Sequence, residues 1–416
     1  MKKIGKYSMG TGDRFGQQGV AQLRAIAKAQ RSGVHITPVW NKSHREHMII
    51  GTLPDDVRQE ADKAVGRLGW DEAYFVDADH IGLDNVDLFM HASDFFTLDV
   101  ADFTGKTART KDIQEFVEEQ KKYTGTLDIP GIEKPLDVTE EFLWLTAEKY
   151  LLAVQEAGKI YRKVLAVKGP NGFVPEVSMD ETDRPQSPAE LFFILAAVAR
   201  EGIPAQTIAP KFSGEFNKGV DYVGNITRFA REFEADICVI EFAKKEFDLP
   251  DNLKLSVHSG SDKFSIYAPM KEILEKHDAG LHLKTAGTTW LEELIGLAAA
   301  GGQGLKIAKD IYETALNRFS EMCGPYASVI DIDPDNLPPA ESVQKWTGEQ
   351  YANALRHDQS CGEYNSDVRQ LLHVAYKVAA EMGQRYLDAL DDCERQVAKN
   401  VTENLYERHI LRLFPL

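Results

Sequence analysis

Two apolar runs lead directly into side chains able to do chemistry. Leu253, Leu255 and Val257 deliver His258, Ser259, Asp262 and Lys263, while Leu281 and Leu283 deliver His282, Lys284, Thr285 and Thr288. A third run, AYFVDADH, ends in Asp77, Asp79 and His80. Strand alternation puts Asp77 and Asp79 on one face and His80 on the other, but where the pleat relaxes at a strand end both neighbours reach one opening. A carboxylate beside an imidazole supplies either a metal ligand with an adjacent base or a structural cap. One buried histidine is more often a hydrogen-bonded core residue than a ligand. Three of them, His80, His258 and His282, at three predicted strand ends point to a set that, with a carboxylate, suits Zn, Mn, Fe, Co or Ni better than Mg alone.

Two further groups accompany them. Glu176, Asp180, Glu181 and Asp183 crowd VPEVSMDETDRPQ, which reads mostly as a solvated acidic loop, with Glu181 and Glu176 the candidates for proton transfer. Lys168, Lys211, Lys218, Lys263 and Lys284 each follow a predicted strand in an otherwise acidic chain. Such lysines suit an anionic substrate, and Lys211 or Lys284 would suit a Schiff base. The stretch Gly10-Thr11-Gly12-Asp13-Arg14-Phe15-Gly16 misses the GxGxxG spacing, so a dinucleotide site is not expected.

The elements that must position these residues are short β-like runs alternating with helical patterns, which argues for parallel βα units. The runs are KIGKYSMGTGD, VHITPVWNKS, AYFVDADH, FFTLDVADF, KVLAVKG, FVPEVSMDE, AQTIAPKFSG, KLSVHSGSD and LHLKTAG. Only a Pro-Asn-Gly turn separates KVLAVKG from FVPEVSMDE, so one of the two is expected to be an extra or irregular strand. Ser187-Pro188-Ala189-Glu190 reads as a cap, first-turn proline and capping-box glutamate before LFFILAAVAR, and Thr289 with Glu292 reads as a second such start. The expected fold is a (β/α)8 barrel over residues 1–335, with a helical insertion at about 112–162 and a helical C-terminal region over 336–416. Strand carboxyl ends form the mouth where such barrels bind ligands. With 416 residues, 43% apolar, 27% charged and a formal charge of −17, the chain is globular and lacks the basic field that nucleic acid or anionic membranes require. Cysteines at 238, 323, 361 and 393 form no CxxC pair, and no signal-like or membrane-spanning run is evident, so a cytoplasmic protein is expected.

The strings VPEVSMDET, IAPKFSGEFNKGVDYVG, KLSVHSGSDKFSIYAP, GLHLKTAGTTWLEE and RQLLHVAYKVA make the chain resemble the tagaturonate/fructuronate epimerase family over nearly its whole length. The resemblance implies a divalent-metal-dependent isomerase that inverts carbon 4 of a hexuronate, with any assembly being a homo-oligomer. It implies Asp79 as catalytic base, Glu181 as a second proton-transfer group, and His80, Asp221 and His258 as metal ligands. Lys211, Lys263, His282 and Lys284 are then the expected substrate contacts. Carbon 4 lies two bonds from the ketone carbon, so simple enolisation cannot invert it, and retro-aldol cleavage between carbons 3 and 4 is the expected route.

Overall fold

The computed structural model describes residues 2–285 and 288–415; the Ala286-Gly287 end of LHLKTAG lies outside them. Eight parallel strands close into a barrel: β1 (Tyr7–Gly12), β2 (Ile36–Ser43), β3 (Phe75–Ile81), β4 (Phe95–Asp99), β7 (Val174–Ser178), β8 (Thr207–Ala209), β9 (Lys254–His258) and β10 (Leu281–Lys284). The order around the barrel is β1-β10-β9-β8-β7-β4-β3-β2, so the first and last strands seal it. A separate antiparallel pair, β5 (Gly125–Leu127) and β6 (Leu136–Val138), interrupts the segment between β4 and β7. The 112–162 stretch is therefore not purely helical.

KVLAVKG is not a strand. It is the last two turns of the helix Glu140–Lys168, and FVPEVS supplies β7. An apolar run this short does not distinguish strand from buried helix, and the longer helical pattern upstream of it prevails. The capping box at Ser187 forms as read: Ser187 N donates to Glu190 Oε2 at 2.7 Å and Glu190 N to Ser187 Oγ at 3.3 Å. The second start does not form. Thr289 sits inside the helix Thr288–Ala300, where its hydroxyl accepts from Gln22 Nε2 at 2.9 Å, and Glu292 instead accepts from Asn404 Nδ2 at 3.0 Å.

The barrel interior changes character along its axis. Ile4, Val39, Phe75, Phe95 and Val174 form an apolar plug at the amino ends of the strands. One step higher the register aligns Asn41 with Asp77, Thr97 with Glu176, Glu176 with Thr207, and Ser8 with His282. Barrel interiors are ordinarily layered with branched apolar residues. A polar layer here is buried at the cost of desolvation unless every group finds a partner, and it floors the mouth above it. Helices after Asn336 pack on the barrel wall, for example through Trp290 Nε1, which donates to Leu372 O at 2.7 Å.

Candidate active site

Lys284 organises the floor. Its ammonium lies 2.7 Å from Asp77 Oδ2, 2.8 Å from Asp79 Oδ1 and 3.1 Å from Glu176 Oε1. Gly10 pairs with Lys284 in register, and a Cβ there would stand 3.0 Å from Lys284 Cγ, so the bare backbone makes room for the lysine stem. Burial opposes charge on Lys284, but the three carboxylates outweigh it and hold its pKa well above the usual lysine range. The ammonium is thus committed to three carboxylates, an arrangement that suits an electrostatic floor better than a Schiff-base amine. Burial raises Asp77 to about 7 against the pull of Lys284, whereas Lys284, His80 and His258 overcome burial at Asp79 and lower it to about 2.

His80 and His258 face one another above this floor, with ring centroids 5.1 Å apart. His80 reaches it because its backbone is left-handed (φ 51°) at an irregularity in the β3–β4 register between Ala78 and Ile81. That break in the pleat lets the adjacent Asp79 and His80 face the same cavity, in a conformation that histidine adopts more readily than most residues. Each ring gives one nitrogen to a carboxylate: His80 Nδ1 bonds Asp99 Oδ2 at 2.9 Å, and His258 Nε2 bonds Glu176 Oε1 at 3.0 Å. The remaining His258 Nδ1 lies 3.1 Å from Asp180 Oδ2 but is not aligned for a hydrogen bond with it. Donor atoms of His80, Asp180 and His258 all lie within 4.8 Å of one another, the arrangement that could hold a metal ion. Outer carboxylates that orient ring nitrogens are the usual second layer of such sites. Burial disfavours charge on both rings. Asp79, Asp99 and Asp180 nonetheless push His80 well above its usual range, and Asp180 and Glu176 push His258 up to about 9. The donor set thus attracts positive charge strongly, and a cation would displace two protons.

These groups open into a cavity of about 330 Å³, within the range of small-molecule sites, that Asp79, His80, Asp180, Glu181, His258 and Lys284 help line. Sequence reasoning missed much of the rest. Arg14 enters from the end of β1 and is held by Glu46 Oε1 at 3.0 Å, by His373 O at 3.2 Å and by the Tyr376 ring, 4.0 Å below it. Asn41, Arg45, Glu46, His373 and Tyr376 also line this space. The signal for Glu46 was present as a capping box, Ser43 to Glu46, at the start of HREHMII. Asp180 was visible only as one acid among four.

Other expected site residues lie elsewhere. Asp221 is not brought to the histidine pair; it accepts from Tyr222 N at 2.8 Å and from Ser265 N and Oγ at 3.1 and 3.0 Å, bracing a neighbouring loop. Lys263 is fully buried, and its ammonium staples backbone and hydroxyl oxygens of Asn217, Val220 and Ser261, leaving none of it for a substrate. His282 lies beneath the floor with no exposure, bonded through Nδ1 to Ser8 Oγ at 2.9 Å, and burial lowers it to about 3, so it stays a neutral core residue. Lys211 lines an adjoining chamber of about 700 Å³ rather than this cavity. Glu181 is exposed at the rim the two share, and Lys218 and Arg45 line both.

A (β/α)8 barrel with a histidine-carboxylate cluster over a charged floor at its carboxyl mouth defines a barrel enzyme. A family model described as tagaturonate epimerase matches residues 1–412, and the chain belongs to that family, whose members are isomerases. It is 28% identical to the tagaturonate/fructuronate epimerase of Thermotoga maritima, over 97% of this chain and 80% of that protein. In structure it is similar to the fructuronate-tagaturonate epimerase of Cohnella laeviribosi with two glycerols, at TM-score 0.79 and 24% identity, covering 98% of this chain and 82% of that one. A probable tagatose 6 phosphate kinase from Sinorhizobium meliloti shares the fold more distantly, at TM-score 0.50 and 10% identity, over 98% and 99% of the two chains. Among the described residues no helix is long and apolar enough to cross a membrane.

Proposed function

We propose that this chain interconverts D-tagaturonate and D-fructuronate by inverting carbon 4 through retro-aldol cleavage and re-addition, with a divalent cation (Zn, Mn, Co, Ni or Fe) held by His80, Asp180 and His258. The observation that carries the reading is the convergence of these three donors on a cavity whose floor holds the ionised Asp79. When bound, the cation supplies Lewis-acid stabilisation of the negative charge that develops on the substrate's ketone oxygen.

The rest falls to the chain's own residues. Asp79, kept unprotonated by Lys284, takes the proton of the carbon-4 hydroxyl. The bond between carbons 3 and 4 breaks, its electron pair forming the enediolate, and carbon 4 becomes an aldehyde that keeps its hydrogen. After the aldehyde rotates, carbon 3 attacks its opposite face and the new alkoxide regains a proton from water relayed by Glu181 at the exposed rim, while Asp79 returns its proton to solvent and is ready for the next turnover. No electrons are gained or lost overall. Lys218 and Arg45 have no ion-pair partner among the described residues, so they hold the carboxylate at carbon 6, the task expected of lysines among Lys211, Lys263 and Lys284. Both sides of the equilibrium are small hexuronates, consistent with a cytoplasmic enzyme of sugar-acid breakdown.

The test is turnover of tagaturonate deuterated at carbon 4 before and after exhaustive chelation. The expected results are full retention of deuterium in fructuronate, loss of turnover on chelation, and recovery on adding Mn, Co, Ni or Zn. Exchange of the deuterium with solvent sinks the cleavage scheme; undiminished turnover by metal-free protein sinks the cation.

A further inference from the structure

The inward-facing positions of β2 are Val39, Asn41 and Ser43, aligned in turn with Phe75, Asp77 and Asp79 of β3. The first closes the apolar plug and the last caps the helix His44–Ile50. Asn41 does neither. It is 2% exposed and lines the cavity, yet among the described residues neither Oδ1 nor Nδ2 has a hydrogen-bond partner. Its neighbours at this level are engaged with one another: Thr97 with Asp77 and Glu176, Thr207 with Glu176, and the Lys284 ammonium with Asp77, Asp79 and Glu176. A buried amide with both functions unmade is unfavourable, and native proteins rarely keep one without a reason.

We infer that Asn41 is a substrate-recognition residue whose amide is completed by two adjacent oxygens of the substrate chain, Nδ2 donating to one and Oδ1 accepting from the other's hydroxyl. This rests on the proposed function above and adds a specificity element to it. A carboxylate in the same place would accept but not donate, and would add a fourth negative charge to the floor. A lysine would donate but not accept. An uncharged amide does both at any working pH, which fits a vicinal diol. The position also suits orientation. Asn41 aligns with Asp77, two residues before Asp79, so an oxygen held there fixes the chain against the base rather than against the histidine pair.

The experiment compares the parent with Asn41→Leu, which keeps the branched outline in a somewhat bulkier side chain and removes both hydrogen-bonding functions, and with Asn41→Ser as a smaller second variant. For each, kcat and KM on tagaturonate, bound metal per chain and the melting temperature without substrate are measured. The inference expects kcat/KM to fall roughly a hundredfold in Asn41→Leu, the size expected for losing two hydrogen bonds to the substrate. It expects unchanged metal content and an unchanged or higher melting temperature, because no partnered bond is lost in the free protein. A purely structural asparagine gives the opposite, a lower melting temperature with the surviving folded protein as active as the parent, and overturns the inference. So does failure of both variants to fold. If the parent binds and turns over no hexuronate, the functional reading fails first and this inference with it. A parent that turns over, matched within twofold by Asn41→Leu, fails the inference alone.

Discussion

Replacing Lys284 by methionine keeps most of its stem and removes its charge, leaving Asp77, Asp79 and Glu176 without the ammonium that sits 2.7 to 3.1 Å from each. Deleting one partner of a buried ion pair costs about 3–5 kcal/mol. With an unfolding entropy of about 2.1 cal/mol/K per residue, 416 residues give roughly 0.9 kcal/mol/K, so the melting temperature falls by roughly 3–6 °C. The effect has a definite pH dependence. Without Lys284 the three carboxyls lose the group that holds them down, so their folded-state pKa values rise above those of the unfolded chain. The folded variant then binds more protons than the unfolded one, and its stability drops as pH rises through the carboxyl range. The deficit against the parent is therefore largest near pH 8 and shrinks toward about pH 5. Calorimetry or denaturant melts of both proteins across that range measure it. Adding Asp77→Asn to Lys284→Met removes one uncompensated carboxylate and restores part of the loss. A variant that melts with the parent near pH 8, or whose deficit grows on acidification, refutes the reasoning.

Burial raises Glu292 from the ordinary glutamate value of 4.5 to about 7, a difference worth roughly 3 kcal/mol. The folded state holds this proton longer, so the contribution is complete below about pH 4.5 and is lost as pH rises through 7; Glu292→Gln should flatten the decline in stability between those limits, read by pH-dependent melting. Gly10→Ala brings a Cβ to 3.0 Å from Lys284 Cγ and 3.3 Å from its Cα, and should cost about 1–3 kcal/mol in denaturant unfolding, with turnover falling further as the floor shifts. Asp180→Ala, His80→Ala and His258→Ala should each lower metal content after dialysis, measured by elemental analysis, whereas Asp221→Ala should leave it at the parent's level.

The barrel was legible because its strands are apolar runs that end in polar residues, and the Ser187 capping box marked a helix start to the residue. KVLAVKG was not, since its seven residues carry no periodicity that outweighs a helix of 29 residues. Lys284, Asp79, His80 and His258 stood out as the side chains terminating those runs. Which acid joins the histidines was not visible, because loop acids have no period. Asp180 turns inward through its 2.5 Å bond from Ser178 Oγ and the bond from Met179 N to Ala209 O, neither of which has a local signature. Lys218 and Lys263 look alike as letters, and only the fold makes one line the cavity and the other a buried staple. Arg14, His373 and Tyr376 were invisible together because they are neighbours only across the closed barrel.

That last arrangement sets the order in which the enzyme becomes able to work. Arg14 follows β1, and the carbonyl and ring that hold it belong to His373 and Tyr376, 359 and more residues later. β1 likewise waits for β10 before the barrel seals. Until then the charged floor is open to water on one side and Arg14 has only Glu46 to hold it. A fragment that ends before His373 carries all eight barrel strands but leaves Arg14 without two of its three supports, so the finished cavity depends on contacts closed over a very long loop.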